Sequence, residues 1–127
     1  MNDCGSDVEP GADLLALRTR RDHEGAVVTV EGELDLSTGP VLEEALAALV
    51  DDPTCGSITV ELDGLTFMDS TGLHVLVKAQ NHLATRGSEI VLARPTPAVL
   101  RILDMAGVTS LFTIDRNAPR GRTAPPG

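Results

Sequence analysis

The decapeptide FMDSTGLHVL, residues 67–76, sets two apolar residues ahead of the polar step Asp69–Ser70–Thr71 and a second apolar run behind Gly72. The approach has strand character, whereas Leu73, Leu76 and Val77 recur at helical spacing, so a strand is predicted to hand over to a helix at the hydroxyl pair. At about 100° per residue, Leu73, Leu76, Val77, Gln80, Leu83 and Ala84 share one broad side, expected to face a core. Ser70, Thr71, His74, Lys78, Asn81 and Thr85 fall on the other side as a polar stripe. Asp69 or Ser70 can cap the helix, because either oxygen accepts from first-turn N–H groups that have no partner within the helix. Such a helix start also favours negative charge, so a phosphate on Ser70 is expected to meet free N–H groups without unfolding the helix.

Outward from this stretch the pattern alternates. LLALRTR (14–20) and AVVTVEGEL (26–34) are β-type runs separated by RDHEG, whose Asp22 and Gly25 suit a hairpin turn. Thr29 and Glu31 alternate with Val28, Val30 and Gly32, which predicts one buried and one wetter face. STGPVLEEALAALV (37–50) changes period: Leu42, Ala45, Leu46 and Leu49 define an amphipathic helix with Pro40 in its first turn. Glu43 and Glu44 are expected to complement the positive end of its dipole. SITVEL (57–62) is a short strand bounded by Asp63 and Gly64, and EIVLA (89–93) is another. The helix begun at Ser70 is expected to run to Arg86 and stop at Gly87. Thr96–Pro97 starts a third helix that closes near Gly107, and LFTI (111–114) completes the series.

The fold class that follows is α/β: a mixed β-sheet with an antiparallel N-terminal hairpin, then strands alternating with helices. The expected organisation is one domain over 14–115 between flexible tails at 1–13 and 116–127, the first acidic and the second rich in Pro, Gly and Arg. At 127 residues and 42% apolar content the chain suffices for one core. A net charge of −9 with no Trp or Tyr leaves no basic footprint for phosphates and few stacking platforms, which argues against nucleic-acid binding. Cys4 and Cys55 build no disulfide framework. No segment approaches the ~18 consecutive apolar residues of a spanning helix, and no secretory leader precedes the domain, so a cytoplasmic location is expected, with no membrane insertion.

Enzyme chemistry finds little support. Ser70 lacks the upstream glycine of G-x-S-x-G, and DSTG is neither the D-T-G of an aspartic protease nor duplicated. His74 and His82 lie two turns apart, about 12 Å along the axis, and His23 sits in the hairpin turn, so all three are read as surface residues and no metal site is expected. No phosphate-cradling glycine loop occurs, and no cofactor is called for. Phe67, Met68 and Met105 are read as core or core-edge residues. Asp35, where a strand passes into the first helix, is a turn or capping residue. If its strand neighbours the one before Ser70, the two residues share the carboxyl edge of the sheet, where sites of such folds lie.

VTVEGELDLSTGPVLEEAL, LDGLTFMDSTGLHVL and ILDMAGVTSLFTI together resemble the three signature segments of the STAS domain, in the branch of bacterial anti-sigma factor antagonists. The resemblance covers about Leu14 to Asp115. It implies a STAS-like fold acting as a binding module that is not an enzyme. In that family the unmodified antagonist binds an anti-sigma factor with serine kinase activity and releases a sigma factor; phosphorylation blocks binding and a serine phosphatase restores it. The implied phosphoacceptor is Ser70. The implied partner-binding patch comprises Asp35, Ser37, Asp69, Thr71, Gly72, His74, Lys78 and Asn81. Alternatives are a scaffold subunit of a signalling or lipid-transport complex without sigma-factor control, and a domain that binds a nucleotide. Family members often add a helix after the last strand, where this chain turns to Pro, Gly and Arg; the acidic leader is also atypical.

Overall fold

Strand and helix periodicities alternate along the chain, and a computed structural model, which describes residues 15–22 and 25–118, orders them into one five-stranded sheet with three helices. Strand β1 (Leu15–Asp22) pairs antiparallel with β2 (Gly25–Leu34), from Leu15 opposite Gly32 to Asp22 opposite Gly25. Helix α1 (Gly39–Val50), strand β3 (Ser57–Met68), helix α2 (Ser70–Ala84), strand β4 (Ile90–Ala93), helix α3 (Pro97–Ala106) and strand β5 (Thr113–Asp115) follow. Spatial order equals chain order, and β2 through β5 are mutually parallel. The mixed sheet expected from the sequence is therefore present. His23, with the leader and most of the C-terminal tail, lies outside the described residues.

One cluster of buried side chains unites the helices with alternate strand positions: Leu42, Leu46 and Leu49 of α1, Leu76 and Leu83 of α2, and Val99 and Leu103 of α3 meet Val28, Val30, Ile58, Val60, Ile90 and Leu92. Because strand side chains alternate in direction, all three helices lie on one face of the sheet. Val27, Thr29, Glu31, Thr59, Glu61, Val91 and Ala93 belong to the other, helix-free face. That face is drier than expected, with Val27 and Glu61 buried and Thr29 half-buried.

Several expectations are corrected. Asp63 and Gly64 do not end the third strand; β3 absorbs them in an irregularity opposite Thr29–Glu31 and continues to Met68, with a second shift before Phe67. The extra residues lengthen the strand where turn chemistry suggested a stop. Glu43 and Glu44 miss the first turn of α1, since the helix starts at Gly39, and Glu43 instead pairs with Lys78 at 2.7 Å. LFTI is split: Leu111 closes a 3-10 turn, Thr109–Leu111, and only Thr113 and Ile114 enter β5. Met68 is buried as expected, but Phe67 and Met105 are 47% and 79% exposed. Helix α2 ends at Ala84, which is exposed, and its buried face includes Val75 and Ala79 with Leu73 and Val77 only partly covered. The sheet lies below while α1 packs from the side, so the buried arc is rotated towards α1.

Local chemistry sets the helix ends. Thr96 accepts from the Val99 N–H to start α3, and Gly107, at φ 73, ends it in the left-handed conformation that glycine adopts without a Cβ clash. At the amino ends of β2 and β3 the chain is fastened by cations. The Arg86 guanidinium donates to the carbonyls of Val50, the last residue of α1, and of Asp52 and Cys55 beyond it, and Arg21 pairs with Asp52 at 2.8 Å. Asp52 also accepts from the Thr54 hydroxyl at 2.6 Å and its N–H at 2.9 Å, and these bonds with that of Arg21 hold its carboxyl at a pKa of about 2. Gln80, buried on α2, accepts from the Ile90 N–H at 2.7 Å and fixes the start of β4.

Candidate functional site

Two parallel strands that end in register bring their following loops together. Leu34 of β2 pairs with Met68 of β3, and the Asp69 N–H donates to the Leu34 carbonyl at 3.2 Å, so the loop carrying Asp35 and the step carrying Ser70 form one edge. The shared edge expected for Asp35 and Ser70 is what parallel pairing produces.

Asp69 adopts an extended backbone at the cap position of α2, and its Oδ1 accepts from the N–H of Thr71 at 2.8 Å and of Gly72 at 3.4 Å. Of the two candidate caps, Asp69 is the cap. Ser70 is the first helical residue and is exposed. The expectation of several free N–H groups beside Ser70 is corrected: those of Thr71 and Gly72 go to the Asp69 carboxylate, and that of Leu73 to the Asp69 carbonyl at 3.2 Å. A group added to the Ser70 oxygen therefore meets a helix start already neutralised by a carboxylate, and points to water.

Asp35 builds the neighbouring wall. Its Oδ1 accepts from the Ser37 hydroxyl at 2.8 Å, the Ser37 N–H at 3.0 Å, and the N–H and hydroxyl of Thr38, both at 3.2 Å. The Ser37 hydroxyl bond, with those from Thr38, lowers the Asp35 pKa below the usual carboxylate range, so the edge keeps its negative charge. Thr38, buried and absent from the sequence-based residue set, directs its one hydroxyl proton mainly to the Glu33 carbonyl at 2.8 Å, with Asp35 Oδ1 a more distant second acceptor, and accepts from the Asp35 N–H at 2.9 Å. Exposed Leu36 and Val41 flank this turn and were also missed. An apolar residue between Asp35 and Ser37 in a polar turn was the available signal.

The expected patch divides. Ser70, Ser37, His74, Lys78 and Asn81 are exposed, and Asp35 and Asp69 are half-buried at the edge. Lys78 is turned to α1 by its pair with Glu43, which lowers the Glu43 pKa. Gly72 is buried and packs closely: a Cβ there would stand 2.6 Å from Leu34 Cδ2 and 2.8 Å from Met68 Cγ. Thr71 is half-buried rather than open, its methyl set so closely on Gly39 that a Cβ at Gly39 would lie 2.7 Å away. Small residues at 39 and 72 thus let the starts of both helices converge. Among the described residues, no group of three His, Cys, Asp or Glu side chains converges as a metal site, and no helix is long and apolar enough to cross a membrane. The arrangement presents an exposed hydroxyl, Ser70, on the edge that also carries the Asp35 and Asp69 carboxylates.

Comparison with known proteins gives a consistent result. The family described as the STAS domain matches residues 16–119. The anti-sigma F factor antagonist of Paenibacillus polymyxa is 31% identical over 96 residues, 75% of this chain and 82% of that protein. The anti-sigma-B factor antagonist of Staphylococcus aureus (strain NCTC 8325 / PS 47) is 33% identical over 101 residues, 80% of this chain and 93% of that protein. The crystal structure of an anti-sigma factor antagonist from Mycobacterium paratuberculosis superposes with a TM-score of 0.73 at 25% identity, covering 85% of this chain and 89% of that one. The fold is also that of the Bacillus cell fate determinant SpoIIAA in its phosphorylated form, with a TM-score of 0.67 at 19% identity over 83% of this chain and 93% of that one. Sheet order, helix placement and the match across 16–119 agree, and the chain belongs to the STAS domain family.

Proposed function

We propose that this chain is an anti-sigma factor antagonist controlled at Ser70. Its unmodified form binds a cognate anti-sigma factor with serine kinase activity and thereby releases a sigma factor in the cytoplasm. Phosphorylation of Ser70 by that kinase ends the binding, and a serine phosphatase restores it. The relatives named as antagonists support the class of partner. The observation that carries the switch is the exposed Ser70 hydroxyl at the head of α2, on the edge it shares with Asp35 and Asp69.

The physics of the switch is charge exclusion. Phosphorylation adds between one and two negative charges and three strong acceptors beside two carboxylates. Asp69 has already taken the Thr71 and Gly72 N–H groups, so the helix start does little to absorb that charge. A partner that desolvates the edge then buries an unpaired dianion, at a cost of about 3 kcal/mol, or roughly a hundredfold in affinity. Ser37, His74, Lys78 and Asn81 supply the surrounding docking contacts.

Incubation with the cognate kinase and Mg-ATP adds one phosphate, located by mass spectrometry to Ser70 and absent in Ser70→Ala. Ser70→Asp retains the circular dichroism of the parent and binds the anti-sigma factor about a hundredfold more weakly. A phosphate confined to another residue, or equal affinity of Ser70→Asp, refutes the assignment.

A further inference from the structure

Along the exposed side of α2, Ser70, His74 and Lys78 follow one another at four-residue spacing, so each stands one turn from the next. Helical Cα–Cβ bonds tilt towards the amino end, which lays the His74 ring over the turn that opens with Ser70. Lys78 is engaged elsewhere, since Glu43 of α1 holds its ammonium at 2.7 Å. The hydrogen bond and charge of Lys78 lower the Glu43 pKa, and the nearby charge of His74 adds a smaller part. His74 therefore stands between Glu43, already matched by Lys78, and the Ser70 hydroxyl. Other donors close to Ser70 are committed: the N–H groups of Thr71 and Gly72 go to the Asp69 carboxylate, that of Leu73 to the Asp69 carbonyl, and the Ser37 hydroxyl to Asp35.

We propose that His74 is the counter-ion of the phosphorylated form, its protonated imidazole donating to the phosphate on Ser70 one turn back. This rests on the reading of Ser70 as phosphoacceptor and adds the side chain that positions the phosphate. Cβ atoms four residues apart on a helix face are about 6 Å from each other, a gap that a phosphoserine and an imidazole close to a hydrogen bond. The imidazole takes its proton from solvent, in the range of about pH 5 to 8 where such rings change charge. Around the pair stand Glu43 of α1, matched by Lys78 of α2, and the carboxylates of Asp69 and Asp35 on the edge. These carboxylates favour the cation. One imidazolium leaves the phosphate net negative beside Asp35 and Asp69, so exclusion of a partner stands. It also draws His74 off the docking face, so phosphorylation removes a contact as well as adding a charge.

The test replaces Ser70 by phosphoserine during translation of the full chain, so that no kinase is needed, and follows the phosphate by phosphorus NMR from about pH 5 to 8. Its second ionisation, ordinarily near pH ~6, is expected about half a pH unit lower in the parent than in His74→Gln, because a neighbouring cation favours the dianion. His74→Lys, charged throughout this range, is expected to restore the low value. Position 74 is exposed, and matching circular dichroism shows that the variants keep the fold. Equal midpoints in the parent and His74→Gln overturn the proposal, as does a midpoint in His74→Lys as high as that of His74→Gln. A cognate kinase that leaves Ser70 unmodified refutes the phosphoacceptor reading instead, and the two failures are read in separate experiments.

Discussion

The two ends of the parallel strands solve the same problem with opposite chemistry. Where β2 and β3 begin, guanidinium groups reach across chain segments, Arg86 to the carbonyls past α1 and Arg21 to Asp52. Where they end, Asp35 and Asp69 satisfy the N–H groups of their own turns, each within three residues. The first end depends on long-range contacts and belongs to the fold. At the second, the carboxylates cap their own turns, which leaves Ser70 free of structural duty.

Substitutions can break or sharpen that contrast. Gly72→Val should have the largest effect, about 3 kcal/mol of destabilisation from overpacking against Leu34 and Met68, read as a lowered urea midpoint. Arg86→Ala should cost about 2 kcal/mol, since it leaves three carbonyls without their charged donor; an unchanged midpoint would dissolve the distinction between the ends. Asp69→Ala removes the α2 cap and should cost about 1 kcal/mol.

Asp52 gives the acid side of the comparison. Its folded pKa of about 2 lies below its ordinary 3.8, so its contribution is complete above pH 4 and is lost as the pH falls from there through 2. Asp52→Asn should flatten the stability profile across that window, measured by urea unfolding at several pH values. The smallest effect belongs to Ser70→Ala, expected within about 0.5 kcal/mol of the parent, as for an exposed residue that bonds nothing essential. A larger loss would make Ser70 a structural residue.

Much of this was legible because local rules and tertiary demands coincide. The Thr96–Pro97 start and Gly107 stop of α3 are short-range chemistry, and the period change after Leu34 marks α1 without any neighbour. Asp63–Gly64 misled because turn propensity is local, whereas β3 is held through its irregularity by pairing with Glu31 and Gly32 on another strand. Phe67 and Met105 misled because hydrophobicity does not state which face of an element is covered. At the site, Asp35, Asp69 and Ser70 could be named from loop position. Gly72 and Thr71 could not be assigned, because their roles arise from the approach of Leu34 and Gly39, distant in sequence. Thr38 was not singled out, because its bridge between Glu33 and Asp35 is visible only once the turn is folded.

The antiparallel opening strand has a practical consequence for anyone handling this protein. Leu15 stands opposite Gly32 and β5 runs parallel to β2, so both chain ends leave the sheet on the side that bears Ser70. A tag or fusion joined directly ahead of Leu15 or after Asp115 would therefore hang beside the surface under study. A circular permutant opened between Asp22 and Gly25, with Leu15 and Asp115 joined by a linker spanning about 19 Å, four strand spacings, would move such attachments to the far side.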